Sequence, residues 1–258
     1  MKKTFLVLLI TTLVLTELSA QAGKQITRFK PTVLVEFFTS EGCSSCPAAD
    51  EFAQDIKRLS DSNNLFVYTL DWHVDLWDKS GWKDPFSDSV YTARQLQMAL
   101  KNNQKAMFTP MAFVNGKGAL PGAAKGEVGK LIQQFVDNPA SHFLLFSATW
   151  VPDQKNLMLE YEIKGPPDSC DLFFVWAEKE ITNKVTAGEN KDKVLSHHNV
   201  VRKVEMETRG SEFGTVIMPF ETDQIDFSKY IVFGFLQHKR TFQVLAVQPL
   251  IFNTKKPE

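Results

Sequence analysis

The chain has 258 residues, with 29 Lys and Arg against 30 Asp and Glu and a formal net charge of −1. That balance excludes the basic footprint of a nucleic-acid binder or of a protein that docks on an anionic membrane. Three cysteines in a chain of this length exclude a small disulfide-stapled scaffold, because a core of ordinary size forms without covalent help.

In chain order, the first segment is a processing signal. Lys2 and Lys3 precede an apolar stretch over 5–15, and Ala20-Gln21-Ala22 supplies a small-x-small cleavage site. The apolar run covers about 11 residues against the ~20 that a helical span requires. Residues 1–22 are therefore read as a signal peptide, and the mature chain as exported, periplasmic or secreted, with no membrane span.

The β-branched and aromatic run over 32–38 predicts a buried strand. From Cys46 the apolar positions Ala49, Phe52, Ala53, Ile56 and Leu59 repeat at helical spacing, with Pro47 tolerated in the first turn. A second strand is expected over 65–70, then a polar and aromatic loop over 71–86. Ser87 is the expected cap of a helix carrying Val90, Ala93, Leu96 and Leu100 on one face. A third strand over 111–114 ends at the Asn115-Gly116 turn. Val128, Leu131, Ile132, Phe135 and Val136 form the stripe of a last helix. After 141 the helical period gives way to seven short strand candidates, at 142–150, 157–163, 172–177, 200–207, 215–220, 230–236 and 242–249. The reading is thus two domains that meet near Asp137-Asn138-Pro139. An α/β domain over 23–139 precedes an all-β, sandwich-like domain over 140–258.

Chemistry concentrates at Cys43-Ser44-Ser45-Cys46, between the first strand and the first helix. A dithiol there suits exchange chemistry, with Cys43 exposed near the free amides of the helix and Cys46 one turn along. The same spacing also serves an inert structural disulfide, or half of a metal site for which no second Cys/His pair is present. Trp72, Trp77 and Trp82 occur among Asp71, His73, Asp75, Asp78 and Asp84. This loop reads as packing that also offers a specificity surface, with Trp72, His73, Trp77 and Trp82 as candidate substrate contacts. Glu41 reads as a solvated loop carboxylate. His197-His198 place their rings on opposite faces of a strand, and the pair reads as a surface edge. Cys170 reads as a buried small residue.

Several strings carry a resemblance to a known family. They are Glu36-Phe37-Phe38-Thr39-Ser40-Glu41-Gly42-Cys43-Ser44-Ser45-Cys46-Pro47, His73-Val74-Asp75-Leu76-Trp77-Asp78 and Gly81-Trp82-Lys83-Asp84-Pro85-Phe86. Thr109-Pro110, Val114-Asn115-Gly116 and His198-Asn199-Val200-Val201-Arg202 add to them. The chain resembles the exported domain-of-unknown-function family 1223, regarded as thioredoxin-like. The resemblance implies a thioredoxin-like N-terminal domain with a β-rich extension. It also implies a dithiol in which Cys43 attacks and Cys46 resolves, and a cis bond before Pro110. Thr109 and Pro110 would then wall a groove for substrate. The expected partner is a thiol- or disulfide-containing protein or a small thiol, with no cofactor and no metal. A binding or assembly module with a structural Cys43–Cys46 disulfide is the alternative.

Overall fold

A computed structural model describes residues 29–166, 169–208 and 211–252 of the chain, and the expected signal peptide lies outside them. Val33–Thr39 (β1) is buried along its whole length, as expected of a largely apolar strand covered on both faces, with Glu36 the buried charge within it. Val67–His73 (β2) pairs with it in parallel, from Val33 opposite Val67 to Thr39 opposite His73. Met111–Val114 (β3) pairs with the other edge of β1 antiparallel, and Lys117–Pro121 (β4) closes that side.

Pro47–Ser62 (α1) follows the dithiol and buries Ala49, Phe52, Ala53 and Ile56 against Val33, Val35 and Phe37. Lys125–Val136 (α3) packs on the same face through Val128, with Leu131 and Ile132 at its margin. Ser89–Lys101 (α2) lies on the opposite face and corrects the expected stripe. Its cap is Asp88, which accepts from the Val90 amide, and its buried side is Tyr91, Gln95, Met98 and Ala99. Val90, Leu96 and Leu100 point outward. The Gln95 side-chain amide donates to the Phe108 carbonyl at 2.8 Å, and Tyr91 meets the Trp72 ring edge-on. These two anchors set the helix rotation, which counting apolar residues cannot see. Leu59 likewise faces solvent rather than the α1 interface.

Each of the seven later strand candidates has a counterpart. They are Phe143–Val151 (β5), Asn156–Lys164 (β6), Cys170–Lys184 (β7), Val194–Thr208 (β8), Phe213–Pro219 (β9), Tyr230–His238 (β10) and Val244–Ile251 (β11). Their assembly overturns the expected architecture of an α/β thioredoxin-like domain followed by a β sandwich. Strand accounts for 44% and helix for 23%. One mixed eight-stranded sheet, ordered β11-β10-β7-β8-β2-β1-β3-β4, runs from the early strands into the late ones, and only β5-β6-β9 form a second sheet. The join is a single parallel pairing of Asp71 on β2 with Val200 on β8.

The physical reason lies in burial rather than in strand pattern. Val175, Ala177, Val201, Phe233 and Phe235 from the late strands share one core with Leu34, Phe38, Trp72 and Phe113 from the early ones. The three-stranded sheet seals the other face of β7 and β10 through Leu144, Leu157, Leu159, Phe174 and Trp176. Strands β7 and β8 are 15 residues each, much longer than predicted. The arm they form carries their connecting loop across to the dithiol. Among the described residues, no helix is long and apolar enough to cross a membrane.

Candidate functional site

The chain leaves β1 at Thr39 and turns through Ser40-Glu41-Gly42 into the cysteine pair. The Cys43 amide donates to the Ser40 carbonyl, and the Cys46 amide donates to that of Cys43. Cys46 is the N-cap residue of α1. Gly42 is needed here because Trp77 lies against it: a Cβ at position 42 would come within 2.7 Å of the Trp77 Cβ. The two sulfurs are not bonded to each other, and Cys43 is 2% exposed and Cys46 1%. The expectation of an exposed Cys43 is thus corrected. Ser44 and Ser45 form the outer surface of the turn, and Cys43 faces inward beneath them.

Thr109 and Pro110 stand opposite, joined by a cis peptide bond. The Cys43 sulfur lies 3.5 Å from the Thr109 carbonyl and 3.3 Å from the Ser45 hydroxyl. Trp77 fixes Thr109 in place through a 2.7 Å bond from its indole N–H to Thr109 Oγ1. The two thiols sit in different environments. A hydrogen bond from Cys46, aided by Ser45 and Thr109, outweighs burial and lowers Cys43 to about 5. Burial, and then the neighbouring Cys43, push Cys46 well above the ordinary thiol range. The pair is set for a thiolate at Cys43 and a held proton at Cys46.

Below the pair lies a buried polar network. Thr39, which acts against burial to lower Cys46, donates through its hydroxyl to Asp50 Oδ1 at 3.2 Å. Asp50 Oδ2 and Glu41 Oε1 each lie 3.1 Å from one ring nitrogen of His197. Burial opposes the imidazolium, but the hydrogen bonds to Asp50 and Glu41 and the charges of Asp50 and Asp71 raise it to about 10. Both ring nitrogens therefore donate. Glu41 also accepts from the Trp82 indole N–H at 2.9 Å and from the Asn183 side-chain amide. Neither Asp71 carboxylate oxygen has a side-chain hydrogen-bond partner, and burial and the Asp50 charge raise it well above the usual carboxylate range against the pull of His197 and of the His198 amide.

Of the predicted contacts, Trp77 and Trp82 reach the site, through Thr109 and Glu41. His73 lies one layer back, its Nδ1 2.7 Å from Asp84 Oδ2 and its ring 4.7 Å from that of His197. Burial notwithstanding, Asp84 is held below its ordinary range by His73 and by the Glu41 and Phe86 amides. Trp72 is not brought to the dithiol. It faces the opposite side of the sheet, stacked on Phe38.

Five residues of the site escaped sequence reasoning in role or placement: Glu41, Asp50, His197, Glu189 and Asn190. Glu41 is fully buried rather than solvated, and His197 is 1% exposed rather than at a surface edge. Asp50 carried a signal, being four residues after Cys46 and inside the apolar stripe of α1. Glu189 and Asn190 belong to the β7–β8 loop. The Asn190 side-chain amide donates to the Glu41 and Cys43 carbonyls at 2.9 and 2.8 Å, and the Ser44 amide donates to Glu189 Oε2 at 3.0 Å. Nothing in the local sequence links 189–190 to 43–44. Among the described residues, no group of three or more His, Cys, Asp or Glu side chains is arranged to hold a metal ion.

Residues 34–233 match a family model described as protein of unknown function, DUF1223. A solved structural-genomics protein from Agrobacterium tumefaciens is similar, at a TM-score of 0.64 and 22% identity, over 90% of this chain and 98% of that one. HBP35 of Porphyromonas gingivalis is similar at a TM-score of 0.62 and 18% identity, over 89% of this chain and 77% of that one. At such identities the likeness concerns the fold alone. Curated protein sequences offer no match.

Proposed function

Because the chain belongs to the DUF1223 family of proteins of unknown function, it inherits no activity by membership, and we propose from its own site that it is an exported thiol–disulfide oxidoreductase. The observation that carries this reading is the unequal pair itself. Cys43 has hydrogen-bond donors for a thiolate, and Cys46 keeps its proton above a Thr39–Asp50–His197 chain. In exchange with a disulfide substrate, the Cys43 thiolate attacks one sulfur, and the other substrate sulfur leaves as a thiolate. Cys46 passes its proton by way of Thr39 toward Asp50, then attacks the Cys43 sulfur. A 43–46 disulfide closes and the second substrate thiolate leaves. Two electrons have passed from the dithiol to the substrate, and the reverse sequence oxidises a substrate dithiol.

The substrate is a protein or small molecule carrying a thiol or disulfide, and Thr109 and Pro110 with Trp77 form the wall beside Cys43. A second reading, a non-catalytic module with a structural 43–46 disulfide, is favoured by one observation: the burial of both sulfurs. Equilibration of the mature protein with glutathione separates the two. An exchanging pair reaches half-reduction above ~−300 mV, where structural disulfides usually stay closed. In addition, Cys46→Ser should accumulate a mixed disulfide on Cys43. A bond that stays closed in millimolar glutathione, with exchange unaffected by Cys43→Ser, would sink the oxidoreductase reading.

A further inference from the structure

The mouth of the site is partly built by a segment more than 140 residues away in sequence. The loop after β7 docks by three separate contacts. Asn190 is fully buried and holds the carbonyls of Glu41 and Cys43. Gly188, at φ +70°, lies against Trp82, where a Cβ would approach the Trp82 Cβ to 2.9 Å. Glu189, between them, is exposed except for the 3.0 Å bond that its Oε2 accepts from the Ser44 amide. That amide belongs to the residue directly after Cys43 and would otherwise point its positive end at an incoming anion. The contact also draws the Glu189 carboxyl below its ordinary range, so it carries its charge at neutral pH.

Neither of the other carboxylates at the site shares its exposed position, and no ion pair of Glu189 with a lysine is formed among the described residues. Glu41 is enclosed by Trp82, Asn183 and His197, and Asp50 lies beneath Thr39. The loop cation that bonds within the site, Lys193, is committed to Asn190 Oδ1 at 2.9 Å rather than to Glu189.

We infer that Glu189 is the specificity-determining side chain of this dithiol, discriminating against anionic thiols and disulfides and favouring neutral or cationic ones beside Cys43. This rests on the oxidoreductase reading above. The reaction is the exchange already written, and Glu189 forms no bond in it. It changes the electrostatic work of bringing a charged substrate sulfur to Cys43. A unit charge roughly 7 Å away in water changes a rate about threefold. An anionic and a cationic substrate should therefore differ about tenfold on this account, and the difference should shrink at 1 M salt, where screening length falls to about 3 Å.

The test uses the reduced mature protein and three small disulfides: cystamine (cationic), bis(2-hydroxyethyl) disulfide (neutral) and 3,3′-dithiodipropionate (anionic). Rates of 43–46 disulfide formation are followed by loss of protein thiols, counted by mass after acid quench and alkylation, because the small thiols released keep the total thiol constant. Wild type should prefer cystamine over dithiodipropionate. Glu189→Gln, which keeps an acceptor for the Ser44 amide, should lower that preference about tenfold, and 1 M salt should lower it in wild type. Glu189→Ala should have the same effect as Glu189→Gln, and Lys193→Gln, which removes a positive charge, should shift the preference less and in the opposite direction. An unchanged preference in Glu189→Gln overturns the inference and leaves the oxidoreductase reading standing. So does an effect seen only in Glu189→Ala, which would assign the residue to holding the loop, or a larger effect in Lys193→Gln. If the neutral disulfide oxidises the pair no faster than it does Cys43→Ser, the underlying reading fails instead.

Discussion

Strands β1 and β2 carry a buried ion system on each face, and the two are built differently. On the α2 side, Arg94 grips Glu36 with two hydrogen bonds of 2.8 and 3.0 Å, and its guanidinium lies 5.0–5.4 Å from the rings of Trp72, Phe173 and Phe235. Nothing reactive adjoins that pair. On the α1 side, His197 sits between Asp50 and Glu41, and Thr39 carries the network to Cys46. The first system closes on itself inside an aromatic shell and fastens early strands to late ones. The second includes a buried acid with no side-chain hydrogen-bond partner, Asp71, and borders a sulfur. A buried charge pair that is complete is a structural device; one that borders a thiol has protons to exchange.

Breaking the complete pair should cost the most. Arg94→Met leaves Glu36 buried among Phe38, Trp72 and the late-strand aromatics with no counter-charge, and burial already pushes Glu36 above its ordinary range. The expected loss is about 3–5 kcal/mol in chemical unfolding. Arg94→Met combined with Glu36→Gln should recover part of it. If the contrast between the faces is right, the remaining folded protein exchanges thiols at the wild-type rate. A large change in that rate would mean the two faces are coupled and the comparison is wrong.

The same contrast explains how much could be read from the sequence. The segments were legible: β3 falls on the predicted 111–114, and each late strand has its predicted counterpart. Period alone is sufficient for that. The dithiol was legible too, because Cys43 and Cys46 lie in one short string at a helix start. Two things were not. The architecture depended on Asp71 pairing with Val200, a contact between strands 129 residues apart, which no local pattern encodes. The network beneath the sulfurs depended on the lengths of β7 and β8, which carry His197 and Asn190 back to Glu41. The rule that adjacent strand residues face opposite ways held for His197 and His198. What it could not say is that the inner face, occupied by His197, is covered by α1.

The second prediction follows from the charge on His197. Its raised value means the folded state holds that proton more tightly than the unfolded chain, so its stabilisation is complete below about 6.5 and is lost as pH rises toward about 10. Asp71, also raised, acts in the same direction at its own, lower starting range. To remove the thiols' own titration, the measurement uses Cys43→Ser/Cys46→Ser. Its stability should fall by a few kcal/mol between pH 6.5 and 10. Each unit of raised pKa corresponds to ~1.4 kcal/mol, part of which Asp50, Glu41 and Asp71 recover by rearranging. His197→Gln in the same background should be less stable at pH 6 and nearly flat over that window. A slope that survives His197→Gln would remove the imidazolium from its place in the contrast.

The smallest expected effect separates the wall of the site from its floor. Trp77 donates to Thr109 Oγ1 at 2.7 Å and packs on Gly42, yet it touches neither ion system. Trp77→Phe keeps an aromatic ring at this half-buried position but deletes one neutral hydrogen bond and part of the indole's packing, so the loss should be about 1–2 kcal/mol. Thr109 would then be free to shift its carbonyl from the 3.5 Å contact with Cys43, while Cys46 stays on its Thr39–Asp50 support. Alkylation of the reduced protein should therefore show Cys43 modified faster at a given pH, because its cover is looser, with the wild-type pH midpoint nearly kept. That midpoint is governed chiefly by the Cys46 hydrogen bond. A midpoint shifted by a full unit would mean that the wall, rather than the floor, sets the acidity of Cys43, and the division of labour between Thr109 and Cys46 would have to be reversed.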